Sequence, residues 1–244
     1  MRKVRAPIAD LAPGERTLDA ASAHYVARVL RLVEGDTFVA FDPARSVEAD
    51  ARIVRASPRE LAVLLGEPRA GEHVSRVDVT WIHGIAKGEK LDAVLRDATE
   101  LGATRFIVAA TARSVVKVAG DRGDTKRARW EKIAREAARQ SGRADAPRVD
   151  GPLDWGAALA SVDPAAARFL LWEESRAALA PPLSLALSTG QALAFAAGPE
   201  GGLTAEEARL AEAAGWTPAS LGPLILRTET VAAAVLGAVR IFGH

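Results

Sequence analysis

The spacing of apolar and polar residues divides the chain into two parts. Along residues 1–70, short apolar runs are separated by turn-forming pairs such as Gly35-Asp36, a pattern typical of β-strands joined by tight turns. The predicted strands are Thr37–Phe41, Ala49–Val54 and Glu60–Leu65, and one helix is predicted over Ala21–Leu32. The first part is therefore predicted to be a small β-rich domain, and the polar residues 66–76 are predicted to be a linker.

The second part, after Val77, alternates between strand-like apolar runs and segments whose apolar residues recur at helical spacing. The predicted strands are Val77–Ile82, Phe106–Ala110, Phe169–Trp172 and Leu193–Ala197. The predicted helices are Lys90–Leu101, Thr125–Ser141, Thr204–Ala214 and Thr230–Phe242. Strands that alternate with helices favour an α/β domain built on a mainly parallel sheet.

Two glycine-bearing segments near the C-terminus carry the strongest functional signal. Residues 198–202 (Gly-Pro-Glu-Gly-Gly) directly follow a predicted strand, and residues 221–230 (Leu-Gly-Pro-Leu-Ile-Leu-Arg-Thr-Glu-Thr) lead into the last helix. Thr204 and Glu207 have the spacing of a capping box. Such turns expose backbone N–H and C=O groups, and ligands bind beyond the carboxyl ends of strands in open α/β sheets. Either segment alone could be only a tight turn, but the two together predict a site for a small planar or anionic ligand.

Several familiar kinds of site are missing from the sequence. There is no cysteine, which excludes disulfides, thiolate zinc sites and a cysteine nucleophile. The histidines, at positions 24, 73, 83 and 244, are too scattered for metal-ligand spacing, so no metal site is expected. No G-x-G-x-x-G follows the first strand of the second part, which disfavours a classical dinucleotide or Rossmann methyltransferase site. A P-loop and a G-x-S-x-G motif are also absent from the sequence.

The composition also bears on where the protein works. Apolar residues make up 49% of the 244 residues, enough for a sizeable core. The N-terminus is basic but lacks the apolar stretch of a signal peptide, and there is no run of about eighteen apolar residues that would span a membrane. We therefore expect a cytoplasmic protein without a membrane span, and the absence of cysteine fits a reducing compartment.

Positive charge is concentrated in the middle of the chain. The net charge is only +1, but Arg113 to Arg148 holds eleven Lys or Arg against five Asp or Glu, whereas residues 1–72 hold eleven of each sign. Concentrated positive charge suits a nucleic-acid partner. A solvated amphipathic helix over residues 125–141 explains the same pattern equally well.

The two glycine-bearing segments together resemble the paired signatures of the RsmE family, the 16S ribosomal RNA (uracil-N3)-methyltransferases of the SPOUT superfamily. Further regions extend the resemblance, in order, over nearly the whole chain. They are His24–Arg31 followed by Gly35-Asp36, Lys87–Lys90 followed by Thr99–Gly102, and Arg113 with Gln140–Arg143 and Pro147. Asp97 and Leu224 depart from the family pattern, in which basic residues are common at these positions.

The resemblance implies a fold and an assembly that the residue spacing alone does not. Residues 1–70 would form a PUA-like β-barrel that binds RNA, and residues 75–244 a SPOUT methyltransferase domain with a deep trefoil knot. The protein would be a homodimer. It would use S-adenosylmethionine to methylate N3 of one uridine in the 16S rRNA of the small ribosomal subunit.

The resemblance also implies which residues bind the cofactor. Glycines would let the main chain approach the adenine and ribose, and apolar side chains of the second segment would pack on the ring. The expected cofactor-binding residues are Gly198, Glu200, Gly201, Gly202, Leu221, Gly222, Ile225, Leu226, Arg227 and Thr230. The side chain of Leu226 could instead belong to the core.

Three charged residues are candidates for the chemistry. Uracil N3 becomes a good nucleophile only as the imide anion, and a cation near O2 or O4 lowers the pKa of that nitrogen. Arg227 is the first candidate for this cation, although a salt bridge to Glu229 or Glu200 is an alternative role. Either glutamate could act as a base, or could bind the cofactor or a helix N-terminus, so no general base is assigned.

Contacts to RNA are expected from the β-rich domain and from the basic segment, because guanidinium groups bind phosphates and stack on unpaired bases. The expected RNA-binding residues are His24, Arg28, Arg31, Arg113, Arg135, Arg139 and Arg143, with Arg28 and Arg31 one helical turn apart.

Two other functions stay open at this point. One is a SPOUT methyltransferase that acts on a different RNA atom, such as a ribose 2′-OH. The other is a ribosome-assembly protein that binds RNA without a cofactor, and the intact glycine-bearing segments argue against it.

Overall fold

The computed structural model describes residues 4–57, 60–72, 74–114 and 121–243. The chain forms two compact units, which we call the N-terminal unit (Met1–Val74 with Ala138–Ala146) and the C-terminal unit (Ser75–Ala137 with Pro147–His244). No helix within the described ranges is long and apolar enough to cross a membrane.

The N-terminal unit is built on one mixed sheet. Its described elements are β1 (Arg5–Pro7), β2 (Gly14–Thr17), α1 (Ala20–His24), β3 (Thr37–Asp42), β4 (Val47–Ala56), β5 (Leu61–Leu65) and β6 (Arg69–Ala70). The strand order is β1-β3-β4-β5-β2, with β6 paired to β4. β1 runs parallel to β3, and the other pairs are antiparallel. Alternating residues such as Phe38, Ala40 and Ile53 form the core of this unit.

The predicted strands of the N-terminal unit are confirmed as β3, β4 and β5, whereas the predicted linker is partly wrong. Residues 66–76 were expected to be free chain, but Arg69–Ala70 form the short strand β6. Arg69 also forms ion pairs with Glu48 and Asp50 of β4, at 3.0 and 3.3 Å. The first part of the predicted linker therefore belongs to the sheet.

The helix predicted over Ala21–Leu32 is only partly α-helical. α1 ends at His24, and the chain continues as a π-helical turn over Tyr25–Val29. Arg31 then adopts a left-handed backbone with φ of 56°. Arg28 and Arg31 are therefore not one turn apart on an α-helix, as the sequence pattern had predicted, because the helix has already ended.

The C-terminal unit is an α/β domain, as predicted. Its elements are β7 (Val79–Gly84), α2 (Lys90–Leu101), β8 (Arg105–Ala110), α3 (Asp121–Ser141, whose last residues belong to the N-terminal unit), β9 (Arg148–Asp154), α4 (Trp155–Ala160), β10 (Ala167–Leu171), α5 (Ala180–Ser188), β11 (Leu193–Ala197), α6 (Ala205–Ala213), β12 (Thr217–Ala219) and α7 (Thr228–Phe242). The strand order is β12-β10-β11-β7-β8-β9, and every pair along it is parallel.

Each strand and helix predicted after Val77 is confirmed, with small shifts at the ends. β9, α4, α5 and β12 had not been predicted, because their patterns are short or interrupted. β9 contains Gly151-Pro152, and α5 begins with Pro181 and Pro182, which suit the first turn of a helix but break an apolar pattern.

Helices cover both faces of the parallel sheet. Trp81 and Ile82 are neighbours on β7 and point to opposite faces. Trp81 packs in a cluster with residues of α2, α3, α5 and α7, and Ile82 packs with residues of α4 and α6. Because the strands are parallel, their carboxyl ends lie along one edge, where both glycine-bearing segments begin. The trefoil knot implied by the resemblance stays a prediction.

Candidate functional site

The two glycine-bearing segments leave the sheet at this carboxyl edge and are joined to each other. The first, residues 198–202, follows β11 and is called the glycine turn. The other, residues 221–230, follows β12, and its part before α7, residues 221–227, is called the second loop. The hydroxyl of Thr228, the first residue of α7, donates a hydrogen bond of 3.1 Å to the carbonyl oxygen of Gly198. The start of α7 therefore holds the two segments together.

The glycine turn is packed so closely that Gly198 has no room for a side chain. A Cβ atom on Gly198 would lie 2.8 Å from the carbonyl carbon of Gly202 and 3.0 Å from Leu203. A Cβ atom on Gly84, at the end of β7, would lie 2.5 Å from Pro199. Gly202 has a φ of +69° and donates its N–H to the carbonyl oxygen of Pro199 at 2.9 Å. These glycines therefore let the turn close on itself and against β7.

Glu200 anchors the glycine turn to the loop between β7 and α2. Its carboxylate accepts the backbone N–H of Lys87 at 3.1 and 3.2 Å and forms an ion pair of 3.3 Å with Lys90. Partial burial raises the pKa of Glu200, but backbone hydrogen bonds and Lys90 outweigh burial and lower this pKa overall. Glu200 is therefore an ionised carboxylate with partners of its own, and it is poorly suited to accept a proton.

Arg113 lies against the glycine turn. Its guanidinium donates to the carbonyl oxygen of Gly201 over 2.6 Å, and its stem lies 3.2 Å from the place of a Cβ atom on Gly201. The neighbouring Ala112 donates its N–H to Glu207, which forms with Thr204 the capping box predicted for α6 and confirmed here. The segment after β8 is thereby held against the turn and the start of α6.

Apolar side chains of the second loop are exposed. Leu224 is 78% exposed, Ile225 is 93% exposed and Leu221 is 39% exposed, whereas Leu226 is half-buried. Gly222 has a φ of +120°, and the place of its Cβ atom is open. Large apolar side chains uncovered beside a tight turn mark a surface that a ligand or partner can cover.

Arg227 and Glu229 lie on either side of the first residue of α7. Arg227 is exposed, and neither of its predicted salt bridges forms among the described residues, since Glu200 has other partners. Glu229 lies near Asp97 of α2. The pKa of Asp97 is raised by burial and, to a smaller extent, by the negative charge of Glu229. Thr230, one turn into the helix, is exposed. The positive charge of Arg227 is therefore not neutralised by a neighbour in the described part of the chain.

Three residues at this edge were missed by sequence reasoning. His83 is fully buried at the end of β7, and burial lowers its pKa to about 4 against a smaller raising effect of Glu200. The carboxylate of Glu173, which follows β10, occupies the place that a Cβ atom on Gly202 would take. Thr228 joins the two segments, as described above. The available signal was their position at strand and helix ends, where parallel sheets bind ligands.

The residues predicted to bind RNA in the N-terminal unit include three exposed side chains, His24, Arg28 and Arg31. Arg139 belongs to the same unit and places its guanidinium over the ring of Tyr25, 4.1 Å from the ring centre. A cation–π pair thus lies next to His24 along the chain.

Two further arginines predicted to bind RNA have carboxylate partners. Arg143 is only 5% exposed, and its Nε and Nη2 donate to Asp145 at 3.0 and 2.6 Å. Arg135 is exposed and lies 3.9 Å from Glu131, one turn earlier on α3. Part of the basic segment, residues 115–120, lies outside the described residues. Across the described ranges, no group of acidic or histidine side chains is arranged to hold a metal ion.

Comparisons with known proteins point to one family. The model of an RNA methyltransferase domain matches residues 73–240, and the model of an RNA methyltransferase PUA domain matches residues 18–65. The ribosomal RNA small subunit methyltransferase E of Bacillus subtilis is 36% identical over 222 residues, which cover 88% of this chain and 86% of that protein. The protein of the same name from Synechocystis is 33% identical over 227 residues, covering 91% and 72%.

A solved structure extends this similarity to the fold. The crystal structure of a ribosomal RNA small subunit methyltransferase E from Neisseria gonorrhoeae, bound to S-adenosyl methionine, matches with a TM-score of 0.86 at 25% identity. The match covers 98% of each chain. By sequence and fold, the chain belongs to the ribosomal RNA small subunit methyltransferase E family.

Proposed function

We propose that this protein transfers a methyl group from S-adenosylmethionine to N3 of a uridine in the 16S rRNA of the small ribosomal subunit. The observation that carries the proposal is the hydrogen bond from Thr228 to Gly198, which holds the glycine turn beside the exposed apolar residues of the second loop. The same function is supported by the relatives that are named ribosomal RNA small subunit methyltransferase E, one of which was crystallised with bound S-adenosyl methionine.

The residues at the carboxyl edge fit this cofactor. Leu221 and Ile225 offer apolar surface for an adenine ring, and the glycine turn offers backbone N–H and C=O groups with few side chains in the way. Glu173 places a carboxylate at the turn, which suits a ligand carrying a sulfonium and an ammonium group, and Glu200, paired with Lys90, holds the turn in place. When bound, the cofactor supplies an electrophilic methyl group. The residues proposed to hold it are Gly198, Glu200, Gly201, Gly202, Leu221, Gly222, Ile225, Leu226 and Thr230.

Arg227 is proposed to activate the uracil. A guanidinium near O2 or O4 would stabilise the imide anion and lower the pKa of N3, so that N3 loses its proton to water and keeps a lone pair for the methyl group. Arg227 suits this role because it is exposed at the end of the second loop and its charge is not neutralised there. Glu200 already has backbone and lysine partners, so it is not proposed as the general base, and no general base is assigned. In-line placement of N3 and the methyl group would supply much of the rate.

The N-terminal unit is proposed to bind the RNA. His24, Arg28 and Arg31 are exposed there, and the stacked pair of Arg139 and Tyr25 offers an aromatic surface with a positive charge. Arg135 remains a proposed contact from α3. Arg143 is left out because its guanidinium is buried against Asp145, and Arg113 is proposed to hold the glycine turn instead.

We also propose that the protein is a homodimer and works in the cytoplasm, where the ribosomal substrate is found. Leu185 of α5 and Ile241 and Phe242 of α7 are each more than half exposed, an apolar surface that a second copy would cover. Size-exclusion chromatography with light scattering tests the assembly. A mass near that of one 25.7 kDa chain would contradict the dimer.

The reaction is tested with small ribosomal subunits from a strain that lacks this modification. The protein is incubated with the subunits and S-adenosylmethionine, and the digested RNA is analysed by mass spectrometry. We expect 3-methyluridine from the wild type and from the control Arg209→Ala, an exposed arginine on α6, but not from Arg227→Ala. A different methylated nucleoside would favour methylation of another RNA atom. Cofactor binding without any product would point to another RNA, and no cofactor binding would favour an assembly protein without catalysis.

A further inference from the structure

His83 is a buried polar residue placed where the two segments of the proposed site meet. It lies on β7 with no exposed surface, paired in register with Ala197 of β11, the residue before the glycine turn. Its ring lies 6.4 Å from the rings of both Trp81 and Phe106. An imidazole in such apolar surroundings loses its hydration, and this cost needs hydrogen bonds to offset it.

The hydrogen bonds of His83 have only one consistent direction. The indole Nε1 of Trp81 lies 3.3 Å from Nδ1 of His83, and an indole N–H can only donate, so Nδ1 is the acceptor. The neutral ring then carries its proton on Nε2, which donates to the hydroxyl of Thr228 at 3.2 Å. That hydroxyl donates in turn to the carbonyl oxygen of Gly198 at 3.1 Å.

We propose that His83 is a positioning residue, which fixes the Thr228 hydroxyl on the Gly198 carbonyl and so holds the glycine turn and the second loop at the spacing that binds the cofactor. The proposal rests on the function proposed above. A hydroxyl without a second partner can rotate away from an acceptor, whereas one that accepts from a fixed imidazole has one direction fewer open to its own proton. His83 thereby links the middle of the sheet to both segments through one donor chain.

The alternative is that His83 only satisfies its own buried polar atoms. The two roles differ in which substitutions matter. Glutamine at position 83 can accept from Trp81 and donate to Thr228, whereas leucine can do neither. At position 228, serine keeps the hydroxyl, whereas valine removes it from both the Gly198 carbonyl and the Nε2–H of His83 and leaves the contact between Trp81 and His83 in place.

The experiment compares His83→Leu and Thr228→Val with their matched controls, His83→Gln and Thr228→Ser. Calorimetry gives the Kd for S-adenosylmethionine, and amide hydrogen exchange reports the opening of the glycine turn without any cofactor. We expect His83→Leu and Thr228→Val to raise the Kd about tenfold or more and to speed exchange in residues 199–203. The two controls should stay within about threefold of the wild type, since they keep the donor chain.

The outcomes separate this inference from the proposed function. The inference is wrong, and His83 is only a structural residue, if His83→Leu and Thr228→Val bind the cofactor with the Kd of the wild type. It is also wrong if the controls His83→Gln and Thr228→Ser lose as much cofactor affinity as His83→Leu and Thr228→Val. If His83→Leu does not fold, the Thr228 pair decides the matter alone. If the wild type itself does not bind the cofactor, the proposed function fails, and the inference fails with it.

Discussion

At residue 198, the absence of a β-carbon decides whether the glycine turn can close. The carbonyl carbon of Gly202 lies 2.8 Å from where a methyl group would stand, and a backbone atom cannot move aside as a side chain can. Gly198→Ala is therefore expected to lower the free energy of unfolding by about 2 kcal/mol and to weaken cofactor binding about tenfold or more.

Gly237 provides the matched control for this substitution. It lies inside α7 with open space at its Cβ position, so Gly237→Ala should raise the free energy of unfolding by about 0.5–1 kcal/mol. Chemical denaturation measures both effects. The packing argument would be refuted by a Gly198→Ala variant as stable as the wild type.

His83 gives stability a pH dependence with a definite sign. Its pKa is about 4 in the folded protein, against 6.5 when exposed, so the unfolded chain binds the proton first as the pH falls. The free energy of unfolding should therefore drop by about 2 kcal/mol between pH 7 and pH 5, and the loss should end near the folded pKa. Glu200, the charged group that acts on His83, stays ionised over this range and opposes the shift only in part.

Denaturation of the wild type and His83→Gln at pH 7, 6 and 5 checks this prediction. The glutamine variant should lack this part of the pH dependence, because it carries no group that titrates there. Curves that run parallel for the two proteins would show that the pKa of His83 is the same in the folded and the unfolded state.

Arg28 and Arg143 were both expected to bind RNA, but their surroundings predict opposite behaviour. Arg28 is exposed and is proposed to contact one phosphate. Arg28→Ala should therefore reduce the slope of the logarithm of the RNA-binding constant against the logarithm of salt concentration by about one. Arg143 is paired with Asp145 and buried, so Arg143→Ala should leave the salt dependence unchanged and lower the free energy of unfolding by about 3 kcal/mol. Salt titrations and denaturation of both variants make the test. Equal salt slopes for Arg28→Ala and the wild type would remove Arg28 from the RNA surface.

At the level of single elements, α6 depends on its first turn. Thr204 accepts the N–H of Glu207, and Glu207 accepts the N–H of Thr204 and of Ala112. Thr204→Ala should lower the free energy of unfolding by about 1 kcal/mol, and Thr204→Ser should restore most of it because serine also caps helices. Denaturation midpoints of the two variants measure the difference. Equal midpoints for alanine and serine would mean that the cap contributes nothing to stability.

The elements also show what the sequence could and could not predict. α2 and β11 have the predicted bounds because their apolar spacing is uninterrupted, whereas α5 begins with two prolines and was missed. The glycine turn was predictable from its composition. The role of His83 was not, because it depends on β7 lying next to β11, and no local pattern encodes which distant strands pair.

At the level of the whole molecule, every residue proposed to hold the cofactor belongs to the C-terminal unit. A ligand that binds only the folded state stabilises it in proportion to the logarithm of its concentration. S-adenosylmethionine at about 100 times its Kd should therefore raise the free energy of unfolding of the unit that binds it by about 2.7 kcal/mol. Thermal unfolding with and without the cofactor measures this, with Gly198→Ala as the variant that should respond least. An unfolding curve that does not move would contradict the proposed site.

The pairing of β7 with β11 also sets the order of events during synthesis. About 110 residues separate His83 from Ala197, although the two lie side by side in the sheet. The ribosome adds about 5–20 residues per second, so β11 is synthesised roughly 5–20 s after β7. During this time one edge of β7 is unpaired and can pair with a wrong strand. The link between the two segments needs Thr228 as well, close to the end of the chain. A ribosome must therefore have translated the chain beyond Thr228 before the product has a site with which to modify other ribosomes.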